Sequence, residues 1–145
     1  LEGYTVAILA DGNVLPQQTV ENGKVVLGNK YKKVHVGLPI DAEIKTFPID
    51  FTAQDGTYLS RKKRIASIIA MLKDSRGGVY GMRDDALDEI KWRSNEAYGE
   101  PIALKTEKVK FVVKSASWSE TQQVIIKQPD PLPMTVLSLI PEIEG

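Results

Sequence analysis

The sequence predicts a mainly β protein: an antiparallel β-sandwich or barrel-like domain built of hairpins, with at most one short helix. Three observations predict it. Short runs rich in Val, Ile and Thr recur along the chain, turn clusters of Gly, Asn, Asp and Pro separate them, and several alternate apolar with polar residues. That period of two belongs to a strand with one face in a core. The 145 residues are 42% apolar, enough for one continuous core over 1–145, with 1–30 as a small N-terminal hairpin subregion. The chain opens at Leu1 and turns strand-like at once, which reads as a fragment of a longer polypeptide.

Taken in order, Thr5 to Ala10 is aliphatic and runs into Asp11-Gly12-Asn13, where Gly12 supplies the positive φ of a tight turn; Val14-Leu15 begins the return, broken by Pro16. Gln18-Thr19-Val20, Asn22-Gly23 and Lys24 to Leu27 repeat the pattern as a second hairpin. Lys33 to Gly37 alternates, and Ala42 to Phe51 is extended, with Ile44, Thr46 and Pro48 on one face and Lys45, Phe47 and Ile49 on the other. Pro39 and Pro48 confine these strands to edges or bulges. Over Arg61 to Asp74 the spacing of Ile65, Ile68, Ile69 and Leu72 also suits a helix, but the turn cluster Asp74 to Gly78 and the apolar Val79 to Met82 offer a hairpin partner, so we assign a strand. Asp84 to Glu89 reads as a loop or one helical turn. Lys108 to Lys114 is a strand whose core face carries Val109, Phe111 and Val113. Thr121 to Lys127 and Met134 to Ile140 complete the set.

Composition removes several functions. Nineteen Lys plus Arg balance nineteen Asp plus Glu, so a globally basic nucleic-acid binder is a poor description, and the absence of cysteine removes disulfides and thiolate metal sites. Apolar runs such as Ile65 to Leu72 fall far short of the roughly 20 residues of a membrane span, so we expect no membrane insertion and solubility when isolated. His35 is the one histidine and lacks partners for a nitrogen and sulfur metal site. No serine lies in a nucleophile context, Gly77, Gly78 and Gly81 lack the Gly-Lys-Ser/Thr of a phosphate loop, and an EF-hand loop counted from Asp84 finds Glu89 and Asn95 where Gly and Glu are required. We therefore expect no enzyme, with no catalytic, cofactor-binding or metal residues.

Two features remain. Arg61, Lys62, Lys63 and Arg64 form the strongest charge run, which either contacts a phosphate backbone or guards a sheet edge against aggregation. Trp92, Trp118, Tyr58 and Tyr98 are aromatic platforms for a sugar ring, and they motivate an alternative function as a carbohydrate-binding or adhesin-like sandwich.

Three stretches carry a resemblance: Leu1 to Gly12 with Thr19 to Leu27, then Val34 to Pro48 around Val-Gly-Leu-Pro, then Gln128 to Leu137 around Pro-Leu-Pro-Met-Thr-Val-Leu. In that order they resemble the C-terminal region of the tail nozzle proteins of short-tailed phages, also called tail tubular protein B or packaged-DNA stabilisation proteins. Ile40 departs from the Tyr that often follows Leu-Pro in the family, and Tyr58 to Glu107 matches by pattern rather than by identity. The resemblance implies a structural component of a phage or prophage virion tail, without catalytic residues, localised in the virion. It further implies a hexameric ring below the portal, contact with the tail adaptor protein, and double-stranded DNA passing through the channel to be retained or ejected. In such a ring Pro131, Leu132, Pro133 and Met134 form a candidate assembly surface, and we expect Leu132, Met134 and the Ile140 to Ile143 end to be exposed in an isolated chain.

Overall fold

The computed structural model describes residues 1–50, 52–53, 56–57, 60–92, 95–97, 100–113 and 117–144, and these contain strands and turns but no helix. The strands are β1 (Thr5–Ala10), β2 (Asn13–Thr19), β3 (Val34–Gly37), β4 (Ala42–Lys45), β5 (Thr52–Ala53), β6 (Gly56–Thr57), β7 (Arg64–Ser75), β8 (Val79–Arg83), β9 (Ala86–Glu89), β10 (Lys105–Val112), β11 (Ile125–Gln128) and β12 (Thr135–Glu144). They form antiparallel sheets in the orders β2-β1-β3, β10-β7-β12 and β4-β11-β8-β9, with β5-β6 as a separate ribbon.

The first hairpin follows the turn chemistry. Asp11 and Gly12 take φ of 46° and 81° and join Ala10 to Asn13, the geometry of a two-residue loop whose twist matches its strands. The Asp11 carboxylate then accepts the backbone N–H groups of Lys32 at 3.0 Å and Lys33 at 2.8 Å, which aligns β3 on the other side of β1. Asn22-Gly23 also turns, with φ of 53° and 69°, but closes only the bridge between Glu21 and Lys24. The expected return strand Lys24 to Leu27 does not form. Although the outer edge of β2 is free, the returning chain lays Val25 and Leu27 over the apolar face made by Val6, Ile8 and Val20.

The other two sheets enclose the main core. Ile68, Ala70 and Leu72 of β7 and Phe111 of β10 face Tyr80 and Ile126 of the third sheet, and Ile65, Ile90, Val113 and Val124 complete the cluster. Tyr80 and Phe111 stack with ring centroids 4.4 Å apart, and the Tyr80 hydroxyl donates to Val112 O at 3.2 Å, tying one sheet to the other. Phe111 and Val113 are buried, Val109 is half-buried, and Lys108 and Lys110 are exposed, as the period of two requires; Lys114 lies outside the described residues.

Residues 64–75 form a strand, but the hairpin expected between it and Val79 to Met82 is absent. β7 pairs with β10 and β12, whereas β8 pairs with β9 and β11. Asp74 takes a left-handed φ of 45°, and the chain leaves β7 for the opposite sheet. The acidic stretch 84–89 is neither loop nor helical turn throughout: Ala86–Glu89 returns antiparallel along β8. The strand placed at Thr121 to Lys127 begins only at Ile125, while the last strand runs on through Pro141 to Glu144. β12 is an edge strand, where a missing N–H is tolerated.

Candidate functional site

The basic run does not present one cationic patch. Arg61 and Lys62 are exposed on a bend before β7. Lys63 is 0% exposed: its backbone exchanges two hydrogen bonds of 3.0 Å with Ser119, and its carbonyl accepts Gln122 Nε2 at 3.2 Å. Arg64 begins β7 and lies 3.9 Å from Glu144 on the neighbouring strand. The burial of Lys63 thus divides the run, leaving the adjacent Arg61 and Lys62 exposed before β7.

The proline-rich run is also divided. Pro131 and Pro133 are exposed, but Leu132 and Met134 are half-buried rather than open, because their side chains lie on Gly77 and Gly78. Met134 Cε occupies the place a Cβ at Gly78 would need, and the φ of 90° there is one that side chains rarely adopt. Apart from others such as Ile40 and Phe47, one group of open apolar residues lies on the outer face of β10-β7-β12. There Val112, Leu137 and Ile140 are exposed by 62%, 56% and 49%, with Ile69 and Met71 half-buried beside them. Glu142 sits on that face, accepting from Lys110 Nζ at 2.6 Å and from the Ser67 hydroxyl; Lys110 first and Ser67 second hold its carboxyl below the usual range.

One cleft, of about 470 Å³, joins the sheets. Arg76 and Trp92 line it with Asn13, Glu89, Asp130 and Leu132. Arg76 is buried and donates to Gly12 O in the first hairpin and, at 2.6 Å, to Ile102 O. Its own carbonyl accepts Gln128 Nε2 at 2.8 Å, and its N–H reaches Pro133 O at 3.2 Å. Trp92 donates its indole N–H to Gly77 O at 3.0 Å. In the sequence Arg76 stands only as a member of the turn cluster Asp74 to Gly78. Its partners lie 64 and 26 residues away, so no local pattern marks it. Trp118 is 53% exposed and is not among the cleft's lining residues, while Tyr58 and Tyr98 lie outside the described residues.

A charged network spans the third sheet's surface. Lys127 Nζ lies 3.1 Å from Glu43 and 2.7 Å from Asp84, and Lys45 Nζ lies 3.0 Å from Asp84. Lys127 and then Lys45 lower the Asp84 pKa, and Asp84 and then Glu43 raise that of Lys127. His35 stands on the β3 edge, and no cluster of three or more His, Asp or Glu able to hold a metal ion occurs among the described residues. No helix is long and apolar enough to cross a membrane among the described residues. In comparisons with known proteins, no family model matches the chain and no curated protein sequence matches it.

Proposed function

We propose that this chain is a structural part of a phage or prophage virion tail, a nozzle or tube subunit that helps retain and eject DNA. The ordered resemblance of three stretches motivates the reading. The observation that carries it in the fold is the outer face of β10-β7-β12, where Val112, Leu137 and Ile140 stand open on a well-paired sheet. Large exposed apolar surface on a rigid support favours a neighbouring protein. The equal numbers of cationic and anionic residues suit a wall past which DNA slides, since each phosphate neutralised adds affinity.

The test places Leu137→Asp and Ile140→Asp in the gene that encodes this chain. The expected result is a folded protein that fails to enter virions, with packaged DNA lost to nuclease; virions of normal composition and DNA retention would reject the reading. Arg61→Glu with Lys62→Glu tests the basic bend separately: altered, salt-sensitive DNA release assigns it to the channel, and unchanged release assigns it to edge protection. The cleft favours a second reading, a carbohydrate-binding module, because Trp92 lies among Asn13, Glu89 and Asp130. Glycan-array binding lost in Trp92→Ala would support it, and an array without signal would remove it.

A further inference from the structure

In the three larger sheets the edge strands are β2, β3, β4, β9, β10 and β12. β2 carries Pro16, β12 carries Pro141 and two register irregularities, and β10 presents the like-charged Lys108 and Lys110, all devices that discourage further pairing. β4 is Ala42-Glu43-Ile44-Lys45, exposed throughout, with β11 on one side and, among the described residues, no strand paired on the other.

The ladder fixes which backbone groups are free. Thr46 donates its N–H to Val124 O at 3.0 Å, in the register that sets Lys45 opposite Ile125 and Ile44 opposite Ile126. In an antiparallel ladder the N–H and C=O of one residue point to the same side and alternate along the strand. Ala42, Ile44 and Thr46 therefore turn toward β11, and Glu43 and Lys45 turn their backbone groups outward.

We propose that β4 is a two-fold contact through which a second copy of this chain adds to the third sheet, antiparallel and centred on Ile44. In this register Glu43 of each copy faces Lys45 of the other, and both belong to the residues whose N–H and C=O are free to exchange hydrogen bonds. Ile44 then meets Ile44 as the closer, non-hydrogen-bonded pair. A shift of two residues either way sets Glu43 against Glu43 or Lys45 against Lys45, and a shift of one leaves the outward groups without partners. Charge complementarity thus selects a single register.

Ile44 is 45% exposed and lies directly across from Ile126, which is 1% exposed, so the contact extends the apolar face of the sheet across the two-fold. The salt bridges from Glu43 to Lys127 and from Lys45 to Asp84 stay within each copy and join across the contact as one network. The four-residue ladder is short, so the dimer is weak and concentration-dependent, with the charges setting register more than affinity. A two-fold contact pairs chains and does not close a cyclic ring, so it stands apart from the virion reading, and its failure leaves that reading as it is.

The experiment is sedimentation equilibrium of the full chain over a concentration series at low and high salt. Self-association of the unaltered chain is expected, weakened by salt. Glu43→Lys sets Lys against Lys and Lys45→Glu sets Glu against Glu, so each variant alone should associate about tenfold more weakly or worse. Mixed in equal amounts, the two variants present opposite signs at both pairs and should associate with each other. Far-UV circular dichroism checks folding; if one single variant unfolds, the double variant E43K/K45E, which restores opposite signs, takes the place of the mixture and should recover the dimer. An unaltered chain monomeric throughout, single variants that associate undiminished, or a mixture or double variant that stays monomeric would each overturn the proposal.

Discussion

At the residue scale, Arg76 ties together the most distant parts of the chain. Its guanidinium holds Gly12 O and Ile102 O, and its backbone holds Gln128 and Pro133. Arg76→Met keeps much of the apolar stem but leaves two carbonyls without a charged donor, at a cost of roughly 2–4 kcal/mol. Urea unfolding followed by Trp92 fluorescence should show the lowered midpoint; a midpoint within error of the parent would mean that water replaces the guanidinium. Asp84 sets a pH dependence. Its folded pKa lies below the ordinary 3.8, so its contribution is fully present above that value and is lost as pH falls through the lower, folded value. Asp84→Asn should therefore flatten the acid limb of thermal stability below about pH 4 and leave the slope between about pH 5 and 9 unchanged. A steeper acid limb would contradict the sign.

At the element scale, β7 is the strand on which the main core depends, flanked by β10 and β12 and apolar on both faces. The two faces should respond differently. Ile68→Ala and Leu72→Ala empty positions that are 0% and 1% exposed and should each cost about 2–5 kcal/mol. Ile140→Ser on the outer face should stay within about 0.5 kcal/mol in the isolated chain. Chemical denaturation of the three variants checks the contrast. Equal costs on the two faces would mean that the outer face is covered in solution, which concentration dependence would reveal.

At the scale of the whole molecule, the pairings are long-range. β7 waits for β10 and β12, which follow it by some thirty to seventy residues, and β11 must reach back to β4. Loop closure comes before such contacts stabilise anything, so folding in stopped-flow should take milliseconds to seconds, about the range of all-β domains. Folding on the microsecond scale of helical bundles would contradict this dependence on long-range pairing.

The sequence by itself determined the all-β class, the turn at Asp11-Gly12, the core face of Phe111 and Val113, and the edge positions of β3 and β4 beside Pro39 and Pro48. Each follows from a local rule: left-handed φ at two adjacent turn residues, a side-chain period of two, or a missing N–H. Only the tertiary structure decided which strand pairs with which, because the local pattern of β7 suits β8 as readily as β10 and β12, and the choice depends on how the closed sheets bury apolar surface. For the same reason Lys24 to Leu27 became a cover instead of a strand, and Leu132 and Met134 turned inward onto Gly77 and Gly78. The division of Arg61 to Arg64 into solvent-facing and inward members, and the clamp at Arg76, depend on partners dozens of residues away. Such groups become neighbours only when the sheets close, so their roles are written in space rather than along the chain.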